Sequence, residues 1–165
     1  MATTAHPLHP TAKTRPAAGR ARMVMDYTDA FALPILERID RVKMGIPAQN
    51  VPTVAADLSL TTERYASILG LPKSTVARKI KNNEMLPQDQ SERMLRVMRL
   101  IGLVERLVSD YGDPKGFVPA TWFGHWIEQP NPALNGRKPS EFLDTATGAE
   151  LVESLLNKMV SGAYA

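Results

Sequence analysis

Apolar residues recur at helical spacing through most of the chain, and no stretch alternates apolar with polar long enough to make a half-buried strand. Phe31, Ile35, Ile39 and Val42 predict an amphipathic helix from Tyr27 to Lys43. Pro34 falls inside it and either kinks it or marks its true start. Gly45-Ile46-Pro47 then stops it. A second helix is expected from Val51 to Leu58, with Asn50 as its candidate cap. For the third, Thr61 is the cap, Leu60 can staple onto Tyr65, and Leu69-Gly70 supplies the stop. After the turn Gly70-Leu71-Pro72 a fourth helix runs over about Lys73 to Asn82. Pro87 opens a long helix reaching roughly Asp110. Met94, Val97, Met98, Ile101, Val104 and Val108 form one of its faces, and Leu95, Leu100, Leu103 and Leu107 carry the apolar surface almost all the way round. A helix of that kind is held between two layers, so it is the expected spine of the fold. The last helix has Thr147-Gly148-Ala149-Glu150 at capping-box spacing, an apolar face of Leu151, Val152, Leu155, Leu156 and Met159, and Gly162 as its stop. The expected fold is all-α: a helix-turn-helix domain joined by a long helix to a small helical C-terminal domain.

Charge divides the chain in a way that hydrophobicity does not. Residues 1–22 hold four bases and no acid among Ala, Thr and Pro, and read as a disordered basic tail. Residues 53–109 hold nine bases against six acids, whereas residues 110–165 hold four against seven. A basic front and middle suit a polyanion, and an acidic back half suits a different partner. Three units follow: the tail 1–22, a helix-turn-helix domain with its N-terminal helix over 23–110, and a separate binding domain over 111–165. A chain of 165 residues with 44% hydrophobic residues can bury a real core. It has no apolar run of membrane-spanning length, no signal-peptide pattern and no cysteine, which points to a cytoplasmic protein.

Residues 61–82 read helix, glycine-containing turn, helix. In the second of these helices Val76 and Ile80, with Leu71 before them, can pack onto Ala66 and Leu69. Thr75, Arg78, Lys79 and Asn82 fall on another face, with Ser74 at its N-terminal edge. Helix-turn-helix proteins read base edges with the N-terminal residues of the second helix. Ser74, Thr75 and Arg78 are therefore the candidates for bases, and Lys73, Lys79 and Lys81 for phosphates. The same helical shape also occurs in proteins that never touch DNA.

The C-terminal block carries the most specific pattern. Trp122 and Trp126 are followed by Pro130-Asn131-Pro132-Ala133-Leu134-Asn135-Gly136-Arg137-Lys138-Pro139, then Phe142-Leu143, the last helix, and Gly162-Ala163-Tyr164-Ala165. Three prolines forbid a long helix here, and Asn135-Gly136 signals a turn. An irregular segment stiffened by proline loses little entropy when gripped. The tryptophans either anchor a partner, as tryptophans at interfaces often do, or pack the last helix. This order, a Trp, then Pro-Asn-x-x-Leu-x-Gly-x-x-Pro, an apolar pair, a Thr-Gly helix and a Gly-x-Tyr ending, resembles the toxin-binding domain of the Xre/MbcA/ParS antitoxins. Leu69-Gly70-Leu71-Pro72-Lys73-Ser74-Thr75-Val76-Ala77-Arg78-Lys79-Ile80 resembles, more loosely, the Xre-type helix-turn-helix that precedes it. The resemblance covers about Gly45 to Ala165.

What the resemblance implies is an antitoxin of a type II toxin–antitoxin system. Such a protein neutralises a RES-type toxin that consumes NAD or transfers ADP-ribose from it, by covering the entrance to the toxin's NAD pocket. It implies Arg137, Lys138 and the tail at Tyr164 as the groups reaching that entrance, with Trp126, Asn131, Leu134, Gly136 and Pro139 shaping the surface. Operator DNA is the second expected partner, with autorepression of the operon. Since two half-sites are usually read together, a homodimer is expected, through the apolar faces of residues 27–43 and 94–108. The alternative is a stand-alone regulator whose C-terminal block only builds the dimer. An enzyme is not expected: His125 with Glu128 or Asp144 is a weak acid–base pair, and no phosphate loop or nucleophile motif is present. His6 and His9 lack further ligands nearby, so neither a metal nor a cofactor is expected.

Overall fold

Prolines, side-chain oxygen caps and backbone carbonyls set where the helices begin among the described residues. The computed structural model describes residues 25–162, so the tail 1–22, His6, His9 and Tyr164 lie outside the described residues. The N-terminal segment is two helices, α1 (Tyr27–Ala32) and α2 (Ile35–Met44). Asp26 caps α1 by accepting the Asp29 N–H at 2.7 Å. Pro34 marks the start of α2 and does not kink a longer helix: its carbonyl accepts the Arg38 N–H, the first bond of α2.

Next comes α3 (Asn50–Asp57), where Asn50 does not cap. It lies buried inside the first turn, because the carbonyls of Pro47 and Ala48 accept the N–H groups of Asn50 and Val51 and close the entry through backbone alone. α4 (Thr62–Ile68) is capped as expected, with the Thr61 hydroxyl accepting the Arg64 N–H at 3.1 Å. α5 (Lys73–Lys81) and α6 (Gln88–Tyr111) follow, the latter entered from Pro87. α7 (Pro119–Ile127) starts on a proline, and two short 3-10 turns, Pro132–Leu134 and Pro139–Phe142, occupy the proline-rich segment. α8 (Ala146–Val160) is capped by Thr145, which accepts the Gly148 N–H at 3.1 Å. Thr147, the expected cap, is exposed within the helix.

The fold is all-α, and among the described residues only a single bridge, Pro47 with Met85, has β geometry. α6 is the spine, with α1, α2, α7 and α8 all packed on it. Its residues Met94, Val97 and Ile101 are completely buried. Burying each such side chain contributes about 1.5–3 kcal/mol relative to exposure. Gly102 lets α1 lie directly on the spine: a Cβ there would stand 2.0 Å from the Tyr27 carbonyl oxygen. One apolar cluster joins Val54, Leu58 and Tyr65 of the helix-turn-helix region to Phe123, Leu143 and Leu156 of the C-terminal region. The apolar face over 94–108 is therefore consumed inside the chain and offers no dimer surface; a helix apolar on most sides found both its layers in its own polypeptide. On α2, by contrast, Leu36 and Met44 remain 73% and 72% exposed. Among the described residues no helix is long and apolar enough to cross a membrane.

Candidate functional site

The two surfaces singled out by sequence lie on different elements joined through the spine. In the first, α4 and α5 meet across a turn closed by the Leu71 N–H donating to the Ala66 carbonyl at 2.8 Å. Arg93 on α6 braces the turn by donating to the Leu69 and Gly70 carbonyls at 3.3 and 3.2 Å, a cation against a helix C-terminus. Val76 is buried and Ile80 half-buried against the core, as expected. Lys73, Ser74 and Lys81 are exposed, and Thr75 is half-buried.

Arg78 and Lys79 are differently placed from the simple expectation of free cations. Both bind Glu84, just beyond α5: Arg78 Nη1 to Oε1 at 2.7 Å and Lys79 Nζ to Oε2 at 3.1 Å. Asn82 also donates to Oε1, at 3.2 Å. The Glu84 backbone fixes the carboxylate in place, its N–H donating to the Lys79 carbonyl and its own carbonyl accepting from Ala48. Hydrogen bonds from Lys79 and Asn82, together with the charge of Arg78, hold the Glu84 carboxyl below its ordinary pKa. Two of the four cations on α5 thus already have an anion, and a phosphate must compete for them.

The second surface is the loop after α7. Trp122 and Trp126 stack with ring centroids 5.8 Å apart and planes within 9°, with Phe117 and Phe123 against them at 6.0 and 6.1 Å. Trp126 is half-buried in this stack, which serves both packing and surface. Asn131 closes the loop: its Oδ1 accepts the Ala133 N–H at 2.9 Å, and its backbone N–H donates to the Arg137 carbonyl at 3.0 Å. Leu134 and Pro139 are buried beneath, so they hold the loop from inside. Asn135 and Gly136, both at positive φ, make the exposed tip.

Arg137 is exposed but held, with Nε donating to Glu141 at 3.0 Å and its guanidinium 4.4 Å from the Phe142 ring centroid. The Lys138 backbone N–H donates to Glu141 Oε1 at 3.0 Å, and that bond, with the Arg137 contact, keeps the Glu141 carboxyl below its ordinary pKa. Of the eight residues expected to bind toxin, Asn131, Leu134 and Pro139 build the loop, Gly136, Arg137 and Lys138 lie on its outer side, and Trp126 flanks it; Tyr164 is outside the described residues.

Arg64 and Ser140 carry no signal in the sequence, and Glu128, weighed there only as a partner of His125, pairs elsewhere. Arg64 on α4 donates to Glu128 Oε1 at 2.7 Å and lies 3.4 Å from the buried Ser140 hydroxyl; Lys138 Nζ stands 3.7 Å from Glu128 Oε2. Burial pushes the Glu128 carboxyl up, but hydrogen bonds from Arg64 and Ser140 and the charges of Arg64 and Lys138 outweigh it, leaving the pKa below ordinary. This cluster ties the first helix of the helix-turn-helix to both ends of the C-terminal loop. His125, by comparison, is simply exposed on α7.

The sequence that builds these surfaces matches two known families. The antitoxin Xre-like helix-turn-helix domain matches residues 37–99, and the antitoxin Xre/MbcA/ParS C-terminal toxin-binding domain matches residues 106–162. A Prs ADP-ribosylating antitoxin of Sphingobium sp. (strain YBL2) is 32% identical, over 92% of this chain and 95% of that one. An antitoxin Xre of Yersinia enterocolitica is 24% identical, over 76% of this chain and 80% of that one.

Proposed function

The chain belongs to the Xre/MbcA/ParS antitoxins, and we propose that its partner is a RES-type toxin consuming NAD or transferring ADP-ribose from it. In this reading the C-terminal domain covers the entrance to the toxin's NAD pocket, and the helix-turn-helix represses the operon. The protein acts by binding, in the cytoplasm where NAD is drawn down, with no catalysis of its own. The observation that carries the toxin half is the loop from Asn131 to Pro139. Its backbone is closed on itself and anchored from beneath, while Gly136, Arg137 and Lys138 are presented outward. Such preorganisation lowers the entropy lost on docking. Trp126 and the segment around Tyr164 complete the contact. The Sphingobium relative, whose name joins antitoxin with Prs ADP-ribosylation, favours ADP-ribose transfer over plain hydrolysis.

On the DNA side, Ser74, Thr75 and Arg78 reach base edges, and Lys73, Lys79 and Lys81 reach phosphates, with Arg78 and Lys79 released from Glu84 as DNA arrives. Two copies bind together, through the outer stripe of α2 carrying Leu36 and Met44. The units 23–110 and 111–165 are thus two functional surfaces on one core. Co-expression with the protein encoded beside this gene tests the reading through growth and cellular NAD. Arrest or NAD loss caused by the neighbour and reversed by this chain supports it. A harmless neighbour overturns it in favour of a stand-alone regulator.

A further inference from the structure

An open groove of about 540 Å3 lies between α2, α6 and α8, away from both surfaces described above. Its apolar lining includes Ile39, Val42 and Leu103, and the charged groups lining it are Arg38, Lys43, Arg96 and Arg99 with Glu92, Glu150 and Glu153. Arg96 is engaged by Glu92. Arg38 and Arg99 have no such partner: among the described residues no carboxylate forms an ion pair with either within 4.0 Å. The Nε atoms of both are shielded from water and make no hydrogen bond. Burial and the nearby charge of Arg38 hold the Arg99 pKa below its ordinary value, and Glu153 offsets only part of this.

Two half-buried guanidinium groups that repel one another, neither ion-paired within 4.0 Å and each with an Nε lacking a hydrogen bond, leave donor capacity unused in an empty groove. They suit a forked anion, since arginine pairs with carboxylate or phosphate through two parallel hydrogen bonds. The volume falls in the range of small-molecule sites, about 300–1,000 Å3. We propose that the groove binds a small amphipathic anion, a carboxylate or phosphate head between Arg38 and Arg99 and an apolar body over Ile39, Val42 and Leu103. α2 belongs to the DNA-binding half of the chain and α8 to the toxin-binding half, so the occupant clamps one to the other.

The test uses the full chain with octanoate, inorganic phosphate and octylamine as probes, read by calorimetry and thermal melting. Octanoate should bind and raise the melting temperature with concentration, phosphate should bind more weakly for want of a body, and octylamine should not bind. Arg38→Met and Arg99→Met should each reduce octanoate affinity at least tenfold. Ligand-free Arg99→Met should melt no lower than the parent, because it removes an unmet charge and keeps an apolar stem. The proposal is overturned if octanoate and phosphate both fail to bind at millimolar concentration, or if octylamine binds as well as octanoate. It is equally overturned if both methionine variants keep full octanoate binding. Loss of dimer mass in Arg99→Met without any anion binding would assign the groove to a second copy and overturn it too.

Discussion

Replacing Gly102 by alanine sets two effects of opposite sign against each other. Helix propensity alone favours alanine in a helix interior by about 1 kcal/mol. The new Cβ, however, would stand 2.0 Å from the Tyr27 carbonyl oxygen and 2.7 Å from Phe31 Cβ. Since carbon and oxygen cannot approach much within 3 Å, α1 has to withdraw by about 1 Å. It is not free to do so. The Tyr27 hydroxyl donates to Asp57 at 2.7 Å, the Thr28 hydroxyl donates to Glu105 at 2.6 Å, and Ala30 is wholly buried. Overpacking of this kind costs about 1–3 kcal/mol. Complete undocking of α1 exposes Tyr27 and Ala30 and costs on the order of 3 kcal/mol. A Cβ 2.0 Å from a backbone oxygen belongs at the upper end of the overpacking range, about 2–3 kcal/mol, so subtracting the propensity gain leaves a net loss of about 1–2 kcal/mol, or a melting temperature lower by roughly 3–6 °C. Urea denaturation followed by helical circular dichroism measures it. A variant as stable as the parent, or more stable, would show that α1 does not rest on the spine at Gly102.

Glu84→Ala should free Arg78 for base edges and Lys79 for phosphate, tighten operator binding at low salt, and steepen the dependence of log affinity on log salt by roughly one unit. Fluorescence anisotropy across salt concentrations reads this, and an unchanged slope would place Lys79 away from phosphate. Arg78→Ala should weaken operator binding and spare toxin neutralisation; simultaneous loss of both would contradict the separation of the two surfaces. Glu128 has its folded-state pKa below the ordinary 4.5, so its stabilising contribution is complete above that value and is lost as pH falls through the lowered one. Glu128→Gln should therefore lose less stability than the parent between neutral pH and pH of about 3, in urea melts at each pH. Removing Gly162–Ala165 should impair neutralisation and leave operator binding intact, and a fully protective truncated chain would exclude the tail from the toxin contact.

Helix positions were legible where a single residue decides them. Thr61 caps and Pro87 precedes the spine, because hydroxyl and pyrrolidine chemistry act within one turn, and of the two roles open to Pro34 the helix start is the one it takes. Asn50 and Thr147 misled for related reasons. At Asn50 backbone carbonyls from Pro47 and Ala48 did the capping, and near Thr147 a second threonine two residues earlier took the role. The loop motif was visible as a pattern, but not the division of labour within it, since burial of Leu134 and Pro139 depends on what lies below. Arg64 meets Glu128 across 64 positions and Ser140 across 76, a separation to which helical periodicity is blind. The spine shows the same limit: an all-round apolar helix looks identical whether its second layer is its own chain or another copy.

The shared cluster running from Leu58 and Tyr65 through α6 to Phe123 and Leu156 also bears on how the protein disappears from a cell. The connection from Gly112 to Gly116 is exposed along its whole length and is the natural place for a protease to cut. Neither fragment retains a complete interior, because each supplied part of the other's. One cleavage should therefore disable the helix-turn-helix and the toxin-binding domain at once. An antitoxin built around a common interior has one lifetime, shared by both of its domains.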